Sequence, residues 1–365
     1  MDFFQTSISR KAITNVIEVL GTGWLSEGKV VKRFENALAN ECGIVNPVTV
    51  NSGTAALHMA LVVAGVKSGD EVILPAQTFV ATGIAILMQG ATPVFSDIQD
   101  TTGNISPESI KKKITEKTKA IIPVHWGGYP CDMDEINFIA KEKNLIVIED
   151  AAHALGALYK NRPTGSTSRF TAFSFQAIKL LTTGDGGALA CLEEKDASRA
   201  EILRWFGIDR VNSKPSVLGE REYDICEYGY KYHLNDLAAA VGLGNIETLN
   251  RQLERRREIA CRYRDALKKI AGLELLDYQN DRVSSFWLFT ILVEKRKDFI
   301  LSMKRHRVPT SVVHLRIDKN SIFGGITPGL TGQKRFDRMQ VSIPIHTGLS
   351  DDDVELVLKS VKGGW

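Results

Sequence analysis

The chain of 365 residues has no apolar run near the ~18 residues that a membrane-spanning helix needs, so an integral helical membrane protein is not expected. It has no CxxC pair. Its five cysteines, Cys42, Cys131, Cys191, Cys226 and Cys261, are scattered, which argues against a disulfide framework or a zinc site and for reduced thiols in the cytoplasm. It has almost no charge excess. The 46 basic and 43 acidic residues leave +3, too little to imply nucleic acid as a partner. The N-terminus, MDFFQTSISRKAI, lacks the apolar stretch of a signal peptide. There is no G-x-G-x-x-G. The GTG of GTGWLSEG lacks the third glycine and follows a helical pattern, which argues against a dinucleotide-dependent oxidoreductase. Internal repeats and low-complexity linkers are also missing.

What is present is alternation. Short runs rich in Val and Ile predict strands at 48–51, 71–76, 92–98, 119–126, 144–150 and 188–192. Most are apolar on both faces, as strands covered on both sides must be. Helical patterns lie between them at 53–65, 81–90 and 132–144, the last two ending in Gly or Asn. This pattern predicts an α/β fold with a large, mainly parallel sheet flanked by helices. Near residue 235 the pattern changes to one or two long helices. Within them RQLERRRE predicts a solvated, ion-paired face. The strand pattern FWLFTILVE follows, so we expect a large domain over 1–245 and a smaller C-terminal α+β domain over 246–365.

Three stretches carry chemistry only when taken together. In VTVNSGTAALHMAL a strand runs into a helix at Ser52-Gly53-Thr54. The free N–H groups and positive dipole of a helix start favour phosphate, although such a serine is more often a simple cap. In NLIVIEDAAHALGA, Asp150 closes an apolar strand, at the edge where open α/β sheets bind ligands. A desolvated carboxylate there needs a cation or good donors. In FSFQAIKLLTTGDGG, Lys179 sits between Ile178 and Leu180, five residues after Ser174. Alone, such a lysine is equally an exposed position on an amphipathic segment. Phosphate site, carboxylate and lysine together point to pyridoxal phosphate, with desolvation lowering the lysine pKa so that the amine is free to react. No metal is implied.

At this point the sequence resembles the DegT/DnrJ/EryC1/StrS sugar aminotransferases, in the fold-type-I pyridoxal phosphate class. GWLSEGKVVKRFENALA, NSGTAALHMAL, PAQTFVAT, PVFSDI, IEDAAHALGA, FSFQAIKLLTTGDGG, LRWFGIDR and QVSIPIHTGLSDDDVELV carry the resemblance over nearly the whole chain. It implies that Lys179 is the lysine bonded to the cofactor and Asp150 the partner of its ring nitrogen. Gly53, Thr54 and Ser174 would hold the phosphate, and Phe79 would stack on the ring. His153 stands where a glutamine is more usual near the cofactor hydroxyl. The family's GYNYRM appears here as GYKYHL, which puts Lys231 at the asparagine that reaches the neighbouring subunit's cofactor phosphate, and His233 at the arginine. A homodimer with its active site at the interface is therefore implied.

The resemblance also implies the reaction. An amino donor, expected to be L-glutamate, would load the cofactor as pyridoxamine phosphate. The amine would then pass to a keto group of a nucleotide-linked sugar, most often C4 of a 4-keto-6-deoxy hexose in deoxyamino-sugar and polysaccharide biosynthesis. Amination at C3, a small phosphorylated ketone as substrate, and a non-catalytic cofactor-binding regulator are the alternatives. Relatives that run dehydration carry histidine in place of the lysine. In the segment 311–325, His314 and Arg316 are expected to meet the diphosphate, and Trp24 to line the sugar pocket.

Overall fold

The computed structural model describes residues 1–365. The Val- and Ile-rich runs pair side by side in one seven-stranded sheet. β1 (Pro47–Val50), β2 (Glu71–Pro75), β3 (Thr92–Ser96), β4 (Thr118–Ile121) and β5 (Ile146–Asp150) are joined by two further strands, Phe170–Ser174 and Gly187–Cys191. Across the sheet the order is β1, Gly187–Cys191, Phe170–Ser174, β5, β4, β2, β3. Gly187–Cys191 runs antiparallel to both neighbours, and the other pairings are parallel. The strand at Phe170–Ser174 was not expected from the sequence. That expected over 119–126 stops at Ile121, because the chain turns through a 3-10 helix at Trp126–Gly128.

Helices α2 (Lys29–Cys42), α3 (Gly53–Val63), α4 (Val80–Met88), α5 (Pro107–Lys113), α6 (Met133–Glu142) and α7 (Glu194–Leu203) cover the sheet, while α1 (Arg10–Thr22) and α2 pack on α8 (Asp236–Ile246), which leads into α9 (Leu249–Leu267). α3 is apolar nearly all round because its flanks are covered too. Every residue from Ala55 to Leu61 is buried. The chain leaves α4 and α6 at Gly90 and Asn144, both in the left-handed region that those residue types tolerate. No helix is long and apolar enough to cross a membrane.

The long helical pattern resolves into α8 and α9. α9 packs Leu249 and Leu253 with Trp287 and Phe34, and Ile259, Tyr263 and Leu267 into a second core. That second core surrounds a three-stranded antiparallel sheet of Leu273–Leu275, Phe289–Val293 and Gln340–Ile343. The expectation of a solvated RQLERRRE face needs correcting. Arg255 and Arg262 do pair with Asp351 at 2.8 Å each. Arg256, however, is buried and donates to the carbonyls of Phe286 (3.2 Å) and Ile345 (2.6 Å). Arg257 donates to the carbonyls of Ser284 and Gly156. The charge pattern that suggested surface pairs also serves to tie irregular backbone, which binary patterning does not reveal.

One contact fixes how the two sheets meet. The Trp126–Gly128 turn lies against residues 285–288, with Ser285 N donating to Gly128 O and Leu288 N to Gly127 O, both at 3.1 Å. Gly128 has φ +96°, and an added Cβ would overlap Ser285 Oγ and come within 2.8 Å of the His153 carbonyl. Gly128→Ala is therefore expected to cost at least about 2 kcal/mol in chemical denaturation, since strain and a backbone clash add at one position. An unchanged midpoint would contradict this packing.

Candidate active site

A cavity of about 480 Å³ opens at the carboxyl edge of the large sheet. Asp150 is the last residue of β5 and points into it. Lys179 enters from the loop after Phe170–Ser174, and the first turn of α3 forms one wall. Ser52 caps α3 by accepting from Ala55 N at 3.0 Å, which leaves Gly53 and Thr54 at the cavity. An added Cβ on Gly53 would sit 2.8 Å from Ser174 Cβ, so glycine is what lets these two segments approach. Phe79, at the N-cap of α4, is 54% exposed toward the opening.

The electrostatics follow from burial. Asp150 is 6% exposed. It accepts from Thr82 Oγ1 at 2.8 Å and Ala152 N at 3.1 Å, and no arginine, lysine or histidine pairs with it directly. Desolvation raises its pKa. The Thr82 and Ala152 bonds and the charge of Lys179 oppose that rise. Burial pushes Lys179 down to about 7, against the pull of Asp150. Its side chain keeps some exposure at the cavity, yet the amine donates no hydrogen bond to protein and lies over the Trp287 ring, 3.8 Å from its centroid. His153 stacks on Trp287 at 3.9 Å. Burial first, then the charge of Lys179, holds His153 well below the usual histidine range, and its Nδ1 is buried without a partner.

These residues fit a phosphorylated pyridine. The start of α3 with Ser174 offers N–H and hydroxyl donors for phosphate. Asp150 lacks the one cation that a protonated ring nitrogen supplies, Phe79 offers a ring face, and His153 Nδ1 offers an unused polar atom. Thr82 and Trp287 were missed by sequence reasoning. Thr82 follows Phe79 by three residues within the quoted PAQTFVAT, on the same turn of α4, so helical spacing was its available signal. Trp287 lay in a stretch read only as strand, and nothing local pointed to it.

Other expected residues lie differently. His314 lines the cavity, its ring 5.2 Å from Phe79, and its carbonyl is held by Gln77 (2.9 Å) and Gln340 (3.0 Å). Burial and the charge of Lys179 push it to about 4, so it presents a neutral imidazole at neutral pH and not the cation expected for a diphosphate. Arg316 is not in the cavity. It is 5% exposed and its guanidinium grips the buried Asp318, which satisfies its charge. Trp24 is not there either. It is 61% exposed and lines a separate cavity of about 760 Å³ with Trp205, Arg204 and Arg210. In that larger cavity Lys32 pairs with Glu35 and Glu201, and Glu27–Arg204–Glu35 and Arg210–Glu27 bridges tie down the two arginines. Lys231 is exposed, its amine 3.7 Å from the Trp205 ring centroid, outside the Lys179 cavity of its own chain.

A buried lysine and a lone carboxylate beside a helix start, at the edge of a mainly parallel sheet, fit the class of enzymes that work through a lysine-bound phosphopyridine. The chain belongs to the DegT/DnrJ/EryC1/StrS aminotransferase family, whose model matches residues 6–362. It is 38% identical to the spore coat polysaccharide biosynthesis protein SpsC of Bacillus subtilis, covering 97% of this chain and 94% of the relative. It is 31% identical to a GDP-perosamine synthase of Caulobacter vibrioides, covering 95% of this chain and 93% of that one. The pyridoxal phosphate form of a putative sugar aminotransferase from Streptococcus pneumoniae superposes with TM-score 0.92 at 30% identity, covering 100% of this chain and 98% of that chain.

Two outcomes follow from the burial. Gly53→Ala should weaken binding of pyridoxal phosphate at least about tenfold in a spectral titration, because Ser174 must move; unchanged binding would place the phosphate elsewhere. Lys179 titrates lower in the folded chain than in the unfolded chain, so the unfolded state binds more protons between about pH 7 and the ordinary lysine range, and stability rises with pH there. Cofactor-free Lys179→Met should therefore be more stable than wild type at pH 7 by about 1–3 kcal/mol, with the gap closing toward pH 10. A gap that is absent, or constant with pH, would contradict a desolvated amine.

Proposed function

We propose that this protein is a pyridoxal phosphate-dependent aminotransferase that moves an amino group from L-glutamate to a keto group of a nucleotide-linked sugar, a 4-keto-6-deoxy hexose, in the cytoplasm. The observation that carries the reading is one cavity holding Lys179, Asp150 and the start of α3. The names of the polysaccharide biosynthesis protein and the GDP-perosamine synthase support a sugar acceptor.

Pyridoxal phosphate, when bound, supplies an electron sink for the carbon that loses its proton. The start of α3 with Gly53, Thr54 and Ser174 fixes the phosphate. Asp150 keeps the ring nitrogen protonated, and that proton answers the unmet charge of a buried carboxylate. Phe79 covers one ring face. Lys179 would hold the cofactor and, as a free amine, would take up and return the proton, a role suited to an amine that titrates near neutrality. We further propose a homodimer in which the partner copy brings its Lys231, a point charge for the phosphate, to this cavity. The side chain's exposure and its distance from its own chain's Lys179 cavity support that arrangement.

Purified protein should show the visible absorbance of lysine-bound pyridoxal phosphate, and glutamate should shift it. Lys179→Ala should lose both the absorbance and at least about 100-fold in turnover. Tested against a panel of 4-keto and 3-keto nucleotide sugars, the loaded enzyme should aminate the 4-keto compounds. Failure to bind the cofactor would overturn the reading. Binding without amination of any nucleotide sugar would overturn the substrate.

A further inference from the structure

Trp287 stands in an unusual setting. It is 1% exposed and stacks with Phe4, ring centroids 5.3 Å apart, and with His153, at 3.9 Å. Its Nε1 donates to the Ile178 carbonyl at 2.9 Å, which ties the ring to the residue before Lys179. The backbone that delivers it is strained. Phe286 has φ +49°, a conformation that bulky residues avoid and that persists only where surroundings enforce it. Here Arg256 holds the Phe286 carbonyl, Ser284 Oγ accepts from Phe286 N, and Ser285 Oγ donates to the His153 carbonyl at 2.9 Å. So much restraint on one turn serves to press an indole against the lysine segment.

We propose that Trp287 is a positioning residue that holds the Lys179 amine over its indole whenever that amine is not bonded to the cofactor, fixing its place and favouring its charged form. This rests on the aminotransferase reading of the cavity. The amine has no protein hydrogen-bond acceptor, so the ring 3.8 Å away is its nearest favourable partner. Asp150 from β5 and Asp185 line the same cavity, and the charge of Asp150 favours the cation. His153 from the loop after β5 and His314 from the 311–316 loop are held neutral by burial. A desolvated cation over an indole gains enough to matter against the cost of burial. A protonated Lys179 would be held there in the cavity instead of being free to turn away from it.

The test measures the amine directly. Full-length protein, cofactor-free and then loaded with pyridoxamine phosphate, is treated with trace acetic anhydride from pH 6 to 10, and acetylation of Lys179 is read by mass spectrometry. Trp287→Leu should lower the midpoint of labelling by about one unit relative to wild type in both states. Trp287→Phe, which keeps a ring face but loses the indole N–H, should shift it by clearly less. Equal midpoints in wild type and Trp287→Leu would overturn the proposal, as would a Trp287→Phe shift as large as that of Trp287→Leu. Should Trp287→Leu not fold, wild type alone decides. Its indole absorbance should change with the midpoint of Lys179 labelling, a change that Lys179→Met lacks, and no such change would overturn the proposal. The function is judged separately by uptake of pyridoxal phosphate in wild type. Its failure would sink the aminotransferase reading and leave the labelling result standing.

Discussion

The structure depends on burying a carboxylate and an amine in one cavity without letting them pair. Asp150 and Lys179 act on each other through space, yet no hydrogen bond joins them. A direct ion pair would satisfy both charges and leave neither available. Held apart, each is destabilised by desolvation in opposite senses: the acid rises and the base falls. The fold carries that cost as two groups that a protonated pyridine and a carbonyl carbon can satisfy. This links the stability of the cofactor-free chain to the reactivity of the site, because the same loss of solvent produces both.

The large sheet provides two of the three fixed points. β5 ends at Asp150, and the α3 start lies beside Phe170–Ser174, where Gly53 and Ser174 touch. The third comes from far along the chain. α9 ties down the 284–287 turn through Arg256 and Arg257, and that turn delivers Trp287. The Trp126–Gly128 turn and the His153 carbonyl complete the seam. The C-terminal part of the chain therefore closes the wall against which the lysine rests, in addition to covering its own small sheet. His314, clamped through its carbonyl by Gln77 and Gln340, closes the side next to Phe79.

Legibility in the sequence followed how local each signal was. Strands apolar on both faces could be read because two-sided burial leaves a continuous run, and β2 and β5 lie where expected to within a residue or two. Phe170–Ser174 escaped because Thr171 interrupts its apolar run and its last two residues belong to the lysine stretch. Asp150, Gly53 and Thr54 could be placed because each sits where an element begins or ends, whereas Lys179, in the loop after Phe170–Ser174, was legible only through its apolar neighbours and the motif around it. Arg316 could not be judged, because its partner Asp318 is identifiable only once the turn is folded. Trp24 is a separate case: a tryptophan beside a loop carries no sign of which cavity it will line. The neutral state of His314 was hidden for a similar reason, since it depends on rings and a lysine from five separate segments.

The central claim is that one lysine, Lys179, carries the cofactor. Protein incubated with pyridoxal phosphate, treated with borohydride and digested should yield a single modified peptide, with the phosphopyridoxyl mass on Lys179. Label on another lysine, or no label on any, would contradict the account.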